Sequence, residues 1–114
     1  MAKKYNNLRE FYPYYLLEHQ NLVSRTLHFI GTSLFLATLV LSFVLPNYWL
    51  LLLCPVLGYG FAWVGHFFFE KNRPATFTYP LMSLASDFIM FYHILTLQIG
   101  KKMREALDNK HIIL

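Results

Sequence analysis

The stretch "TLHFIGTSLFLATLVLSFVLPNYWLLLLCPVLGYGFAWVGHFFFE", Thr26 to Glu70, has no Asp, Glu, Lys or Arg before its last residue. It divides at "LPNYW", where Pro46 and Asn47 mark a tight reversal. The blocks on either side, Thr26 to Leu45 and Trp49 to Phe69, are each about 20 residues long, enough for a helix to cross a hydrocarbon layer of roughly 30 Å. This predicts an antiparallel transmembrane hairpin. Gly58, Gly60 and Gly65 in the second block allow close helix approach, a common packing device in bilayers.

Composition agrees with that reading over the whole chain. Of 114 residues, 56% are hydrophobic and 14% charged, too oily for a soluble domain of this size. A third apolar block runs from Leu81 to Gly100 and leads into the charged tail "KKMREALDNKHIIL". Residues 5 to 20, "YNNLREFYPYYLLEHQ", mix aromatic residues with charges, as an interfacial helix or a segment broken near Pro13 would. The N-terminus lacks an apolar signal core, so the first span is expected to stay in the chain. Asn21 and Ser24 are candidate N-caps for a first span that begins around Leu22 to Thr26. The prediction is an all-α integral membrane protein: one domain over 1–114, with the hairpin, a third apolar helix and an N-terminal interfacial segment.

Lys3, Lys4, Arg9 and Arg25 precede the first span, and Lys71 and Arg73 follow the second, which places both ends of the hairpin on the cytoplasmic side. Three full spans would put Lys101, Lys102 and Arg104 on the opposite side. Either the third segment dips in without crossing, the N-terminal segment is partly inserted, or the charge rule fails. The formal charge of +4 does not signal nucleic acid, because the basic residues sit beside tyrosines and phenylalanines at segment ends, where they meet lipid headgroups. Cys54 is the only cysteine, which excludes an intrachain disulfide and reads as a small packing group.

The histidines fall in a pattern. His28 lies nineteen residues before Asn47 and His66 nineteen after it. Antiparallel helices of equal rise bring the two to one depth at the charged end of the hairpin. His19 ends the segment that leads to the same rim, and Glu70 follows His66 by one helical turn. Neutral imidazoles at one level suit Zn, Fe, Cu or Ni, although a single interfacial histidine needs no more than a headgroup to contact. Asp87, about two turns into the third block, needs a histidine, an arginine, a metal or a helix-packing partner such as Ser83. His93 lies deeper and ranks lower as a ligand, and His111 in the tail reads as solvated.

Four segments together, "FYPYYLLEHQN", "RTLHFIGTSL", "GHFFFEKNRPATF" and "SDFIMF", resemble the metal-dependent 2-hydroxy fatty acid dioxygenases of the fungal endoplasmic reticulum and their short bacterial relatives. The resemblance extends from Phe11 to about Phe91. Leu22 stands where many relatives have proline. What the resemblance implies is an Fe(II) enzyme of fatty acid α-oxidation, with His19, His28 and His66 as metal ligands. Its substrates would be a long-chain 2-hydroxy fatty acid and O₂, and its product an acid one carbon shorter. Its place would be a bacterial inner membrane or the endoplasmic reticulum.

A 2-hydroxy acid chelates iron through carboxylate and hydroxyl oxygens while O₂ takes an open position, and a three-histidine set, or histidines with Glu70 or Asp87, leaves that room. Arg73 or Arg25 can steer the carboxylate, with headgroup anchoring the simpler role for Arg25. Two other readings remain: a zinc-dependent membrane hydrolase with an activated water, and a non-catalytic lipid-binding or scaffold protein.

Overall fold

The computed structural model describes residues 5–108, and among these all regular structure is helical. Lys3, Lys4 and His111, which entered the charge and histidine readings, lie outside the described residues. The chain forms two compact units, one made of residues up to 20 together with those from 72 onward, the other of residues 21–71.

The second unit is the hairpin. Helix α2, Leu22–Val44, is started by Asn21, whose side chain accepts hydrogen bonds from the Val23 and Ser24 amides at 2.9 and 3.2 Å. At 23 residues it is about 34 Å long. The reversal falls at Pro46–Asn47 as expected, and the Asn47 carbonyl accepts from Leu50 to open α3, Leu50–Val64. That helix runs without a break into a π-helical segment, Gly65–Glu70, which Lys71 closes with a left-handed backbone (φ 59°). Both arms, Leu22–Val44 and Leu50–Glu70, are long and apolar enough to cross a membrane.

Burial on α2 runs opposite to a soluble helix. Its buried positions are Ser24, His28, Gly31, Thr32, Thr38 and Ser42, all small or polar. Ile30, Val40, Phe43 and Val44 face outward. A stripe of small residues lets two helices approach closely. The approach is tightest at Gly31, where an added Cβ would lie 3.0 Å from Phe61 Cβ and 3.1 Å from the Gly58 and Leu57 carbonyl oxygens. A Cβ on Gly65 would meet Ser24 Oγ at 2.8 Å. Gly60, expected to serve the same purpose, has open space around it, since it lies on the outer side of α3. Cys54 is buried with its thiol near the Phe35 and Leu50 carbonyls, a packing role.

The other unit packs α1 (Leu8–Leu17), a 3₁₀ turn (Ala75–Phe77), α4 (Pro80–Leu95) and α5 (Ile99–Leu107) around Phe11, Tyr12, Tyr15, Leu16 and Met90. Asn7 Oδ1 caps α1 by accepting the Glu10 amide at 2.9 Å. Pro13 lies inside α1 and does not break it. One lost backbone bond is outweighed by the burial of the four large side chains around it. That aromatic face, read from sequence as interfacial, is covered by α4 and α5.

The third apolar block is not one helix. At 16 residues, α4 is about 24 Å long, short of a full crossing. It ends in a Schellman turn, in which the Gln98 amide donates to the His93 carbonyl at 2.7 Å and the Leu97 amide to Ile94 at 3.1 Å. Leu97 occupies the left-handed position, φ 62°, normally given to glycine. The chain then returns as α5, which buries Met103 and Ala106 against α1 and exposes Lys101 and Arg104.

Candidate metal centre

Two candidate ligands meet inside the hairpin. His28, one turn after Ser24 on α2, and His66, the second residue of the π segment, are 5% and 2% exposed. Their Nε2 atoms lie 3.2 Å apart with the rings perpendicular, at an interplanar angle of 89°. Metal–imidazole bonds of about 2.0–2.1 Å separate two ligand nitrogens by about 2.9 Å at a right angle and about 3.3 Å at a tetrahedral angle. The observed separation falls between these values, so the pair fits one shared ion.

The sequence places His66 here for a reason. A π segment accommodates one more residue per closed turn than an α-helix, and such segments recur at functional sites. Gly65 lets the widened turn lie against Ser24. Ser24 is fully buried and its hydroxyl has no hydrogen-bond partner, which is uncommon for a native group and marks this face of the pair as polar.

Glu70, read as a possible fourth ligand, is engaged elsewhere in the hairpin. Its Oε1 accepts the Asn21 amide at 2.6 Å, so the carboxylate holds the start of α2, where negative charge is favoured. It ties the two ends of the hairpin together.

His19 belongs to the other unit, just beyond α1, and is completely buried. Its Nδ1 donates to the Tyr15 carbonyl at 2.5 Å, because a carbonyl can only accept. That tautomer places the ring's lone pair on Nε2. The Tyr15 ring stacks on the imidazole at 4.1 Å. His19 is thus a third buried imidazole, of the ligand type that suits a metal ion.

Asp87 is half-buried on α4 and accepts a hydrogen bond from the Tyr15 hydroxyl. Loss of water pushes its carboxyl up to about 7, partly opposed by that bond. Burial, and then the nearby Asp87 charge, push the Tyr15 phenol well above its usual range. Ser83, considered as the Asp87 partner, has its hydroxyl on Thr76 at 3.1 Å instead. His93 pairs through Nδ1 with the Tyr12 hydroxyl at 2.7 Å. Its pKa is lowered by burial and then by Lys102. Arg73 is exposed, with its guanidinium 4.9 Å over the Phe77 ring. Arg25 is partly buried at the start of α2.

Tyr12 and Tyr15 were not singled out from sequence. Their signal was present: positions 12, 15 and 19 share one face of a helix at spacings of three and four. Their hydrogen-bond partners, His93 and Asp87, lie more than seventy positions away, beyond the reach of any periodicity.

A sequence model of the family described as 2-hydroxy-palmitic acid dioxygenase Mpo1-like matches residues 5–99. No curated protein and no solved structure matches the chain.

Proposed function

The chain belongs to the 2-hydroxy-palmitic acid dioxygenase Mpo1-like family, and from that premise we propose that it is an Fe(II)-dependent dioxygenase of fatty acid α-oxidation acting on long-chain 2-hydroxy fatty acids. The observation that carries the proposal is the buried His28–His66 pair, spaced as two ligands of one ion. In this reading His19 joins them as the third ligand through Nε2. Chain continuity supports it: two residues after His19 comes Asn21, whose amide is held by Glu70, four positions from His66.

Bound iron would supply activation of O₂ and chelation of the hydroxy acid. The protein's own residues do the rest. The Tyr15 carbonyl and ring fix the tautomer and plane of His19, as outer partners of metal-bound histidines do. Asp87 holds the Tyr15 hydroxyl and Glu70 the entrance to α2. Arg73, exposed and three positions after Glu70 in the sequence, recognises the substrate carboxylate. Atoms balance when one 2-hydroxy acid and one O₂ give the shortened acid, CO₂ and water.

The same reading puts the protein in a membrane, with the two arms of the hairpin as spans and the acyl tail against their apolar sides. Only 28% and 22% of the most apolar stretches of these arms are buried within the protein, which sets them apart from soluble core helices. In this reading α4, shorter than a full crossing, does not span, and α5, packed on α1, keeps Lys101 and Arg104 on the side of Arg9, as the charge rule asks.

Elemental analysis of protein purified anaerobically in mild detergent, followed by turnover with 2-hydroxypalmitic acid, tests the proposal. About one iron per chain and O₂-dependent loss of one carbon are expected. Zinc in place of iron, with no turnover of the free hydroxy acid but cleavage of a lipid ester, would favour a hydrolase, and no metal at all would leave a lipid-binding protein.

A further inference from the structure

In the unit that carries His19, aromatic rings form a continuous line. Centroids are 4.1 Å apart from His19 to Tyr15, 5.9 Å from Tyr15 to Tyr12, 5.4 Å from Tyr12 to His93, and 5.9 Å from His93 to Tyr92. The first four rings are buried, whereas Tyr92 is 57% exposed. The line therefore leads from a candidate metal ligand to the surface.

The two inner phenols share a second property. Each is hydrogen-bonded to a base on α4: Tyr15 to the Asp87 carboxylate, and Tyr12 to His93 Nδ1 at 2.7 Å. A phenol that loses an electron becomes a strong acid, so oxidation is easy only where its proton has somewhere to go. Asp87 accepts from Tyr15, and in its Nε2–H tautomer His93 accepts from Tyr12 through Nδ1. Packing alone would not need the hydroxyls, and Phe11 fills the same core without one.

We propose that Tyr15, Tyr12 and Tyr92 form a one-electron relay that drains oxidising equivalents from the metal site to the surface when O₂ activation is not followed by substrate oxidation. The inference rests on the dioxygenase reading. In the first step Tyr15 would give one electron to the metal site once O₂ has oxidised it, and its phenolic proton would pass to Asp87. Tyr12 then reduces the Tyr15 phenoxyl. Its proton moves to His93 Nδ1, and Asp87 returns the first proton to Tyr15. Tyr92 reduces Tyr12 in turn, so that His93 returns its proton to Tyr12 and the Tyr92 proton leaves to solvent. A thiol in solution restores Tyr92 with one electron and one proton, and two such events yield one disulfide.

The test uses the full chain in detergent, loaded with Fe(II) and exposed to O₂ without fatty acid, then frozen for electron paramagnetic resonance. A tyrosyl radical that added thiol removes is expected in the parent protein. Tyr92→Phe should retain coupled turnover of 2-hydroxypalmitic acid, yet inactivate several-fold faster in substrate-free O₂. Peptide mass spectrometry should then find oxidation shifted inward to the peptide carrying Tyr12 and Tyr15. Tyr12→Phe should keep its iron and confine the radical to Tyr15. A protein with bound iron and full coupled turnover but no tyrosyl radical would overturn the relay alone, as would Tyr92→Phe inactivating at the parental rate. A protein that takes up no iron would overturn the dioxygenase reading, and the relay with it.

Discussion

At the scale of single residues, the imidazoles differ in what their surroundings ask of them. The ring of His93 is already committed through Nδ1 to Tyr12, whereas the Nε2 atoms of His28 and His66 point toward each other at ligand spacing. His28→Ala and His66→Ala should therefore each lose stoichiometric metal in elemental analysis, while His93→Ala should keep it. Asp87 gives a second expectation. Its folded pKa of about 7 lies above the ordinary 3.8, so its contribution to stability is fully present below about 3.8 and is lost as pH rises through about 7. In metal-free protein, chemical denaturation across that window should show a decline that Asp87→Asn flattens. A pH dependence unchanged by the substitution would contradict this. The His28–His66 pairing was legible in the sequence because equal distances from a turn become equal depths in a hairpin. The bond of Asp87 to Tyr15 was not, because Tyr15 comes from a helix 72 positions earlier.

At the scale of elements, two backbone positions carry distinct expectations. Gly31 faces the carbonyls of Gly58 and Leu57, which cannot yield as a flexible side chain would. Gly31→Ala should cost about 1–3 kcal/mol from overpacking, only partly offset by the better helix propensity of alanine. Gly60→Ala, with open space around it, should be neutral or better in the same denaturation assay. Leu97, 90% exposed and left-handed, is strained in a position suited to glycine. Leu97→Gly should stabilise the detergent-solubilised protein by about 1 kcal/mol. This corner also shows where sequence reading fell short. The apolar run continues through Leu95, Leu97 and Ile99, and hydropathy cannot register that the backbone reverses its hand between them. The hairpin was readable because Pro46 and Asn47 announce the turn chemically, whereas a Schellman turn built on leucine has no such marker.

For the whole molecule, the hairpin and the bundle of α1, α4 and α5 differ in what fills them. The hairpin encloses serine, threonine, glycine and histidine and shows aliphatic side chains outward, while the bundle packs tyrosine, phenylalanine and methionine around the buried imidazoles of His19 and His93. This division suits a reaction on an amphiphile, with apolar helices to meet an acyl chain and buried imidazoles to meet its head. The central claim is that these imidazoles hold an iron ion that uses O₂ to remove one carbon. The most direct measurement is mass spectrometry of the product formed from 2-hydroxypalmitic acid by the Fe(II)-loaded protein under O₂ enriched in the heavy isotope. The account predicts a saturated acid one carbon shorter that carries heavy oxygen in its carboxyl group. A shortened acid formed without O₂, or no product from iron-loaded protein, would contradict it.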